Sequence, residues 1–154
     1  MISDATYHQG AVLAMLADRI DPGLHVRRIA KQLSGFYLIG DRLPVLIKFS
    51  RNRRGPWSFT FTGEQQLAQV DLAGQYGNLV VCLVCGTDGV AGVDFRDFRK
   101  LLDENVEMQG ESVSVRRGLN EMYALRGKDG ELDRKISRDQ FIKIIADAMM
   151  PANA

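Results

Sequence analysis

Histidine and cysteine are scarce, with two of each among 154 residues. Two cysteines are too few for a disulfide scaffold. Cys82-Leu83-Val84-Cys85 has the spelling of a redox or zinc knuckle. In a strand, however, residues three apart point to opposite faces, so the two sulfurs diverge. No second Cys pair or His pair supplies the remaining zinc ligands. Both cysteines therefore read as buried structural residues, and no metal site is expected. His8 and His25 are isolated, and neither has a serine or cysteine nucleophile in an elbow-like setting. They read as surface or cap residues.

Long apolar runs are missing as well. The longest, residues 79–85, is strand-sized and far short of the roughly 20 residues that span a bilayer. Met1-Ile2-Ser3-Asp4 carries an acid where a signal peptide has a basic n-region, and no apolar block follows. The expected location is cytoplasmic, with no membrane partner. A dominant charge sign is also lacking, since 20 Lys+Arg face 19 Asp+Glu for a net +1. Uniform basicity is thereby excluded. The Gly-rich segments Gly86-Thr87-Asp88-Gly89 and Gly127-Lys128-Asp129-Gly130 lack Walker A spacing and read as hairpin turns in which Asp-Gly supplies the positive φ angles. Asp103, Glu104 and Glu107 lack the alternating EF-hand spacing and its central glycine, and read as a solvated loop over residues 103–111.

What is present is a globular composition, 45% apolar and 25% charged, on a length that suits one domain over residues 1–154. Residues 5–20 have the periodicity of an amphipathic helix, with Val12, Leu13, Leu16 and Ile20 on one stripe. Asp21-Pro22-Gly23 stops it. A second helix is predicted over 24–34, with Leu24, Ile29 and Leu33 along one side and Gly35 at its C′ position.

Residues 36–39, 45–50 and 57–62 are rich in aromatic and β-branched side chains and predict three strands joined by hairpin-length links. Thr62 and Gln65 have capping-box spacing and open a helix that ends near Tyr76-Gly77. Residues 79–85 are apolar at nearly every position, which predicts a central strand covered on both faces. A short strand over 90–93, a helix over 95–103 with Asp94 as N-cap, and strands over 112–116 and 122–126 follow. Ser137 and Gln140 form a second capping-box pattern before a C-terminal helix with Phe141, Ile144, Ile145 and Ala148 inward.

The predicted order is ααβββαββαββα, an α/β (α+β) fold with a central mixed or antiparallel sheet flanked by helices. Its first part, a helix, a three-strand meander, a helix and a buried strand over roughly residues 5–85, resembles the core of the PD-(D/E)XK nucleases. That resemblance implies two carboxylates holding Mg²⁺ and a lysine that positions the attacking water. Asp41 would stand for the first acid, Lys48 for the lysine and Glu64, on the following helix, for a displaced second acid. Leu46 occupies the position two before Lys48, where the family carries its second metal ligand, and residues 57–62 hold no acid. The resemblance thus implies a degenerate, non-cleaving member, with Mg²⁺ as a cofactor only in the divergent-nuclease alternative. Asp41 as a turn residue and Lys48 as a solvated strand lysine is the simpler reading of the same residues.

Charge is unevenly distributed along the chain. Residues 21–60 carry eight bases and two acids, whereas residues 61–112 carry three bases and nine acids. Arg51, Arg53 and Arg54 fall in one short connection, read as a hairpin tip, beside Trp57. Guanidinium forks grip phosphate oxygens bidentately, and an exposed indole can stack on a base. The competing reading has the arginines keeping an edge hairpin soluble and Trp57 in the core. The sequence therefore predicts a non-catalytic binding module for DNA or RNA. Its contacts are Lys48, Arg51, Arg53, Arg54 and Trp57, joined by Arg27, Arg28 and Lys31 where the fold brings them together. A protein–protein adaptor or inhibitor, or self-association through the basic and acidic surfaces, is the alternative from another class.

Overall fold

The computed structural model describes residues 1–20, 23–104 and 111–150. The predicted helix stop at Asp21-Pro22, Glu107 and most of the predicted 103–111 loop lie outside these residues. Among the described residues are four helices, α1 (Asp4–Arg19), α2 (Gly63–Tyr76), α3 (Phe95–Arg99) and α4 (Gln140–Met149), and eight strands. The strands are β1 (Val26–Arg28), β2 (Phe36–Ile39), β3 (Leu43–Ser50), β4 (Trp57–Phe61), β5 (Val80–Cys85), β6 (Gly89–Asp94), β7 (Glu111–Arg116) and β8 (Ala124–Gly127). They form a five-stranded mixed sheet in the order β1-β2-β3-β5-β6 and a separate antiparallel sheet, β4-β7-β8. Among the described residues no helix is long and apolar enough to cross a membrane.

The five-stranded sheet is organised by β5, whose six residues are all buried. Side chains alternate across a strand, so Val81, Leu83 and Cys85 enter one core while Val80, Cys82 and Val84 enter another. The first core lies toward β4, β7 and β8 and contains Trp57, Phe59, Phe61, Val113 and Val115. The second is closed by α1, through Val12 and Leu16, and by α4, through Phe141 and Ile145. Cys82 and Cys85 accordingly face opposite cores as free thiols. Burial pushes the Cys85 thiol up to about 12 and raises that of Cys82 as well.

Among the described strands only β3 and β5 pair parallel, so the chain must cross over between them. It does so through β4 and α2. The predicted three-strand meander over 36–62 is therefore corrected. β2 and β3 pair antiparallel, but β4 leaves for the second sheet and pairs with β7. Its alternation suits a sheet with one solvated face, since Trp57, Phe59 and Phe61 are buried while Ser58 and Thr60 face solvent. Residues 51–56 are consequently an inter-sheet connection and not a hairpin tip.

The predicted helix over 24–34 is also corrected. Leu24 packs into one core, Ile29 and Leu33 into the other, and these cores lie on opposite sides of the sheet. A short strand followed by turns over residues 30–35 serves both sides, and a single helix stripe does not. Residues 26–28 add an exposed edge strand on β2, in register Val26↔Ile39 to Arg28↔Tyr37. The other elements follow the predicted order. Thr62 and Gln65 form the capping box that opens α2, and Asp94 caps α3 by accepting from Asp97 N at 3.0 Å. Ser137 and Gln140 form no box, since α4 begins after Asp139 and Ser137 donates to the Asp139 carboxylate at 2.8 Å.

Helix α4 reaches β6 because Gly92 has no side chain: a Cβ there would collide with Cβ of Phe141. Gly92→Ala should force α4 outward and lower stability by about 1–3 kcal/mol, the usual range for overpacking. Urea denaturation would show a lower midpoint with an unchanged m-value.

Candidate functional site

The connection over residues 51–56 is held from beneath. The Trp57 indole N–H donates to the Asn52 carbonyl at 2.8 Å. Gly86 N donates to Ser50 O at 2.9 Å, and a Cβ on Gly86, at φ +56, would strike the Asn52 carbonyl. Glycine is therefore required where the β5–β6 turn touches this connection. Positive φ in that turn falls at Gly86 and Gly89, so Asp88 does not supply it.

Asp88 takes a different role, gathering three side chains. Its carboxylate accepts from Arg117 Nη2 at 2.6 Å and Nε at 2.9 Å, a two-pronged contact. The Tyr123 hydroxyl donates to it at 2.6 Å, and Arg138 Nη2 lies 3.5 Å away. The Arg117 hydrogen bonds are the main reason the Asp88 carboxyl sits below the usual carboxylate range. Tyr123 in turn packs edge-on against Trp57, with ring centroids 6.1 Å apart. The turn, the connection and the segment after β7 are thus tied into one surface.

That surface is a groove of about 670 Å³ lined by Arg53, Arg54, Arg116 and Arg117, with Asp88 and Trp57 at its base and Leu119 at its rim. Arg53, Arg54 and Arg116 are exposed and have no acidic partner among the described residues. Three uncompensated guanidiniums therefore share one concavity, while Arg117 is neutralised by Asp88. Three planar forks on anchored backbone suit an anion with several oxygens, such as a run of phosphates.

The predicted contact residues are only partly assembled here. Arg53 and Arg54 line the groove, but Arg51 pairs with Asp4 of α1 at 3.0 Å and is not part of its lining. Trp57 is 3% exposed, so it serves as a structural base and cannot stack on a nucleobase. The register places Arg27 and Arg28 level with Pro44 and Val45. Arg51 follows Val45 by six residues, about 20 Å of extended strand. Arg27 pairs instead with Asp41 at 3.2 Å, while Arg28 and Lys31 stay exposed outside the groove. Residues 27–54 therefore do not form a single basic surface.

Asp41, Lys48 and Glu64 do not meet either. Asp41 occupies the exposed turn before β3 at φ +56, and Lys48 lies six residues into that strand. Lys48 is half-buried and not the solvated lysine expected. Its ammonium donates to Gln65 Oε1 at 3.3 Å and stands 5.3 Å from the centre of the Phe61 ring. Burial lowers its pKa. Glu64, in the first turn of α2, is exposed beside that Gln65.

Arg116 and Arg117 were missed by sequence reasoning, although adjacent arginines end a predicted strand just before Gly118. The near-balanced charge of residues 113–154 concealed them. Compared with family models, curated proteins and solved structures, the chain has no significant match.

A carboxyl held below its ordinary pKa of about 3.9 stabilises the fold above that pH and loses its contribution as pH falls through the lowered value. Asp88→Asn should therefore lower the urea midpoint at pH 7. The gap from wild type should begin to narrow below about pH 4 and close only below the lowered native pKa, where Asp88 is protonated in the folded state as well.

Proposed function

We propose that the protein is a non-catalytic module that contacts the phosphate backbone of nucleic acid through the Arg53–Arg54–Arg116 groove. The observation that carries this reading is the convergence of three guanidiniums without acidic partners among the described residues, two from the 51–56 connection and one from the end of β7, fixed by the Trp57–Asn52 and Asp88–Arg117 contacts. A buried Trp57 leaves no ring in the groove for stacking, so the contact reads charge and not base identity. The separation of Asp41 from Lys48, and the engagement of Lys48 by Gln65, support binding without cleavage.

Neutralising about three phosphates gives a slope of log affinity against log salt of roughly −2 to −3. Between 50 and 200 mM salt, binding of a labelled 20-residue duplex or single strand should fall by about 20- to 40-fold. Arg53→Ala/Arg54→Ala/Arg116→Ala should weaken binding equally across unrelated sequences and flatten that slope. Arg27→Ala/Arg28→Ala and Arg51→Ala should leave it nearly unchanged. Fluorescence anisotropy measures all of these. Unaltered binding by the groove variant, or binding of polyglutamate with none of nucleic acid, would overturn the reading, the latter in favour of an acidic protein partner.

A further inference from the structure

Three carboxylates from separate segments meet at the end of the second sheet away from the groove. Asp103 follows α3, Glu111 is the first residue of β7, and Asp129 belongs to the turn after β8. One carboxylate oxygen from each lies within 4.8 Å of the other two. The placement is built into the backbone. A Cβ on Gly127 would overlap the Leu101 carbonyl, and one on Gly130 would overlap that of Lys100. The β8 turn therefore lies directly against residues 100–101, and Asp129 N donates to Leu101 O at 3.4 Å.

Glu111 supplies a second, independent observation. It is 3% exposed, and its Oε2 is buried without a hydrogen-bond partner among the described residues. A buried carboxylate oxygen left unpaired is costly, and like charges at this separation repel. Arg99 provides part of the compensation nearby, but its hydrogen bonds are to the Asp103 carbonyl at 2.7 Å and to Gln66 Oε1 at 3.3 Å. A divalent cation among the three carboxylates would satisfy the buried Glu111 oxygen and offset their mutual repulsion.

We propose that Asp103, Glu111 and Asp129 form a binding site for a hard divalent cation of calcium size. The donors are all oxygen, which suits calcium, magnesium or manganese better than zinc. Calcium accepts oxygens at 2.3–2.6 Å in irregular arrangements, which oxygens within 4.8 Å of one another allow. Magnesium demands a near-ideal octahedron at 2.0–2.1 Å. Asp129 is exposed, giving the ion a route of entry and room for water ligands. Once bound, the ion would link residues 103, 111 and 129. The site is separate from the arginine groove, so each reading stands or falls without the other.

The test is calorimetric titration and thermal melting of the full chain with calcium chloride and with magnesium chloride, each after treatment with a chelator. Calcium should bind saturably and raise Tm by about 5–10 °C at a hundred times its Kd. Asp129→Asn changes an exposed residue and should fold normally, yet weaken calcium binding at least tenfold. Glu111→Gln should abolish binding. Absence of heat and of any Tm shift with either ion would overturn the proposal. So would a calcium response that persists undiminished in Asp129→Asn, and that variant decides the matter even where Glu111→Gln does not fold. Magnesium binding tighter than calcium binding would overturn the assignment of ion size.

Discussion

Burial of β5 on both faces is the constraint from which the rest of the architecture follows. A strand with no solvated side must be covered twice, and its six side chains are divided between two cores. Helices α1 and α4 close one side, while the second sheet lies toward the other. Parallel pairing of β5 with β3 then obliges the chain to leave the five-stranded sheet and return. It uses that excursion to lay β4 into the second sheet, where Trp57, Phe59 and Phe61 cover Leu83 and Cys85. The arginine-bearing connection over residues 51–56 is where the chain changes sheets. Its position opposite Arg116 is thus a consequence of how β5 is buried.

The legible parts of the sequence were those whose pattern determines their environment locally. Unbroken apolarity over 79–85 allows only a doubly covered strand, and opposite orientation of Cys82 and Cys85 follows from a period of two. Thr62 with Gln65 forms its box from neighbouring residues alone. The segment over 24–34 failed because Leu24, Ile29 and Leu33 sit at spacings compatible with a helix, yet serve two cores that are remote in sequence. The departure of β4 was invisible for a related reason. Its alternation specifies one buried face but not which sheet provides the cover. The second capping-box pattern failed because Ser137 bonds to the Asp139 carboxylate.

The candidate site was half legible. Arg53 and Arg54 stood out as a run of like charge, whereas Arg116 lay in a segment whose acids nearly cancelled its bases. Proximity of residues 53 and 116 depends on β4 pairing with β7, with Trp57 opposite Val115. No local pattern encodes a pairing between residues so far apart. Trp57 was misjudged as a stacking ring because an indole next to arginines looks functional in one dimension. Its N–H is instead used to hold the Asn52 carbonyl, which fixes the connection that carries those arginines.

Folding also redistributes the charge that the linear sequence separates into a basic and an acidic block. Arg51 is paired with Asp4, Arg27 with Asp41 and Arg117 with Asp88, each joining segments distant in the chain. The exposed pairs Arg51–Asp4 and Arg27–Asp41 add little stability, but all three pairs remove their bases from the pool available to a ligand. Among the charges that remain, two groups lie at the two ends of β7. Arg116 closes that strand among free guanidiniums, and Glu111 opens it among carboxylates. Six residues of strand hold the ends about 17 Å apart, beyond the Debye length of roughly 8 Å at physiological salt. Screening at that distance keeps the two fields from cancelling through solvent. One rigid strand therefore presents a cationic groove and an anionic cluster as electrically separate features, which a net charge of +1 does not reveal.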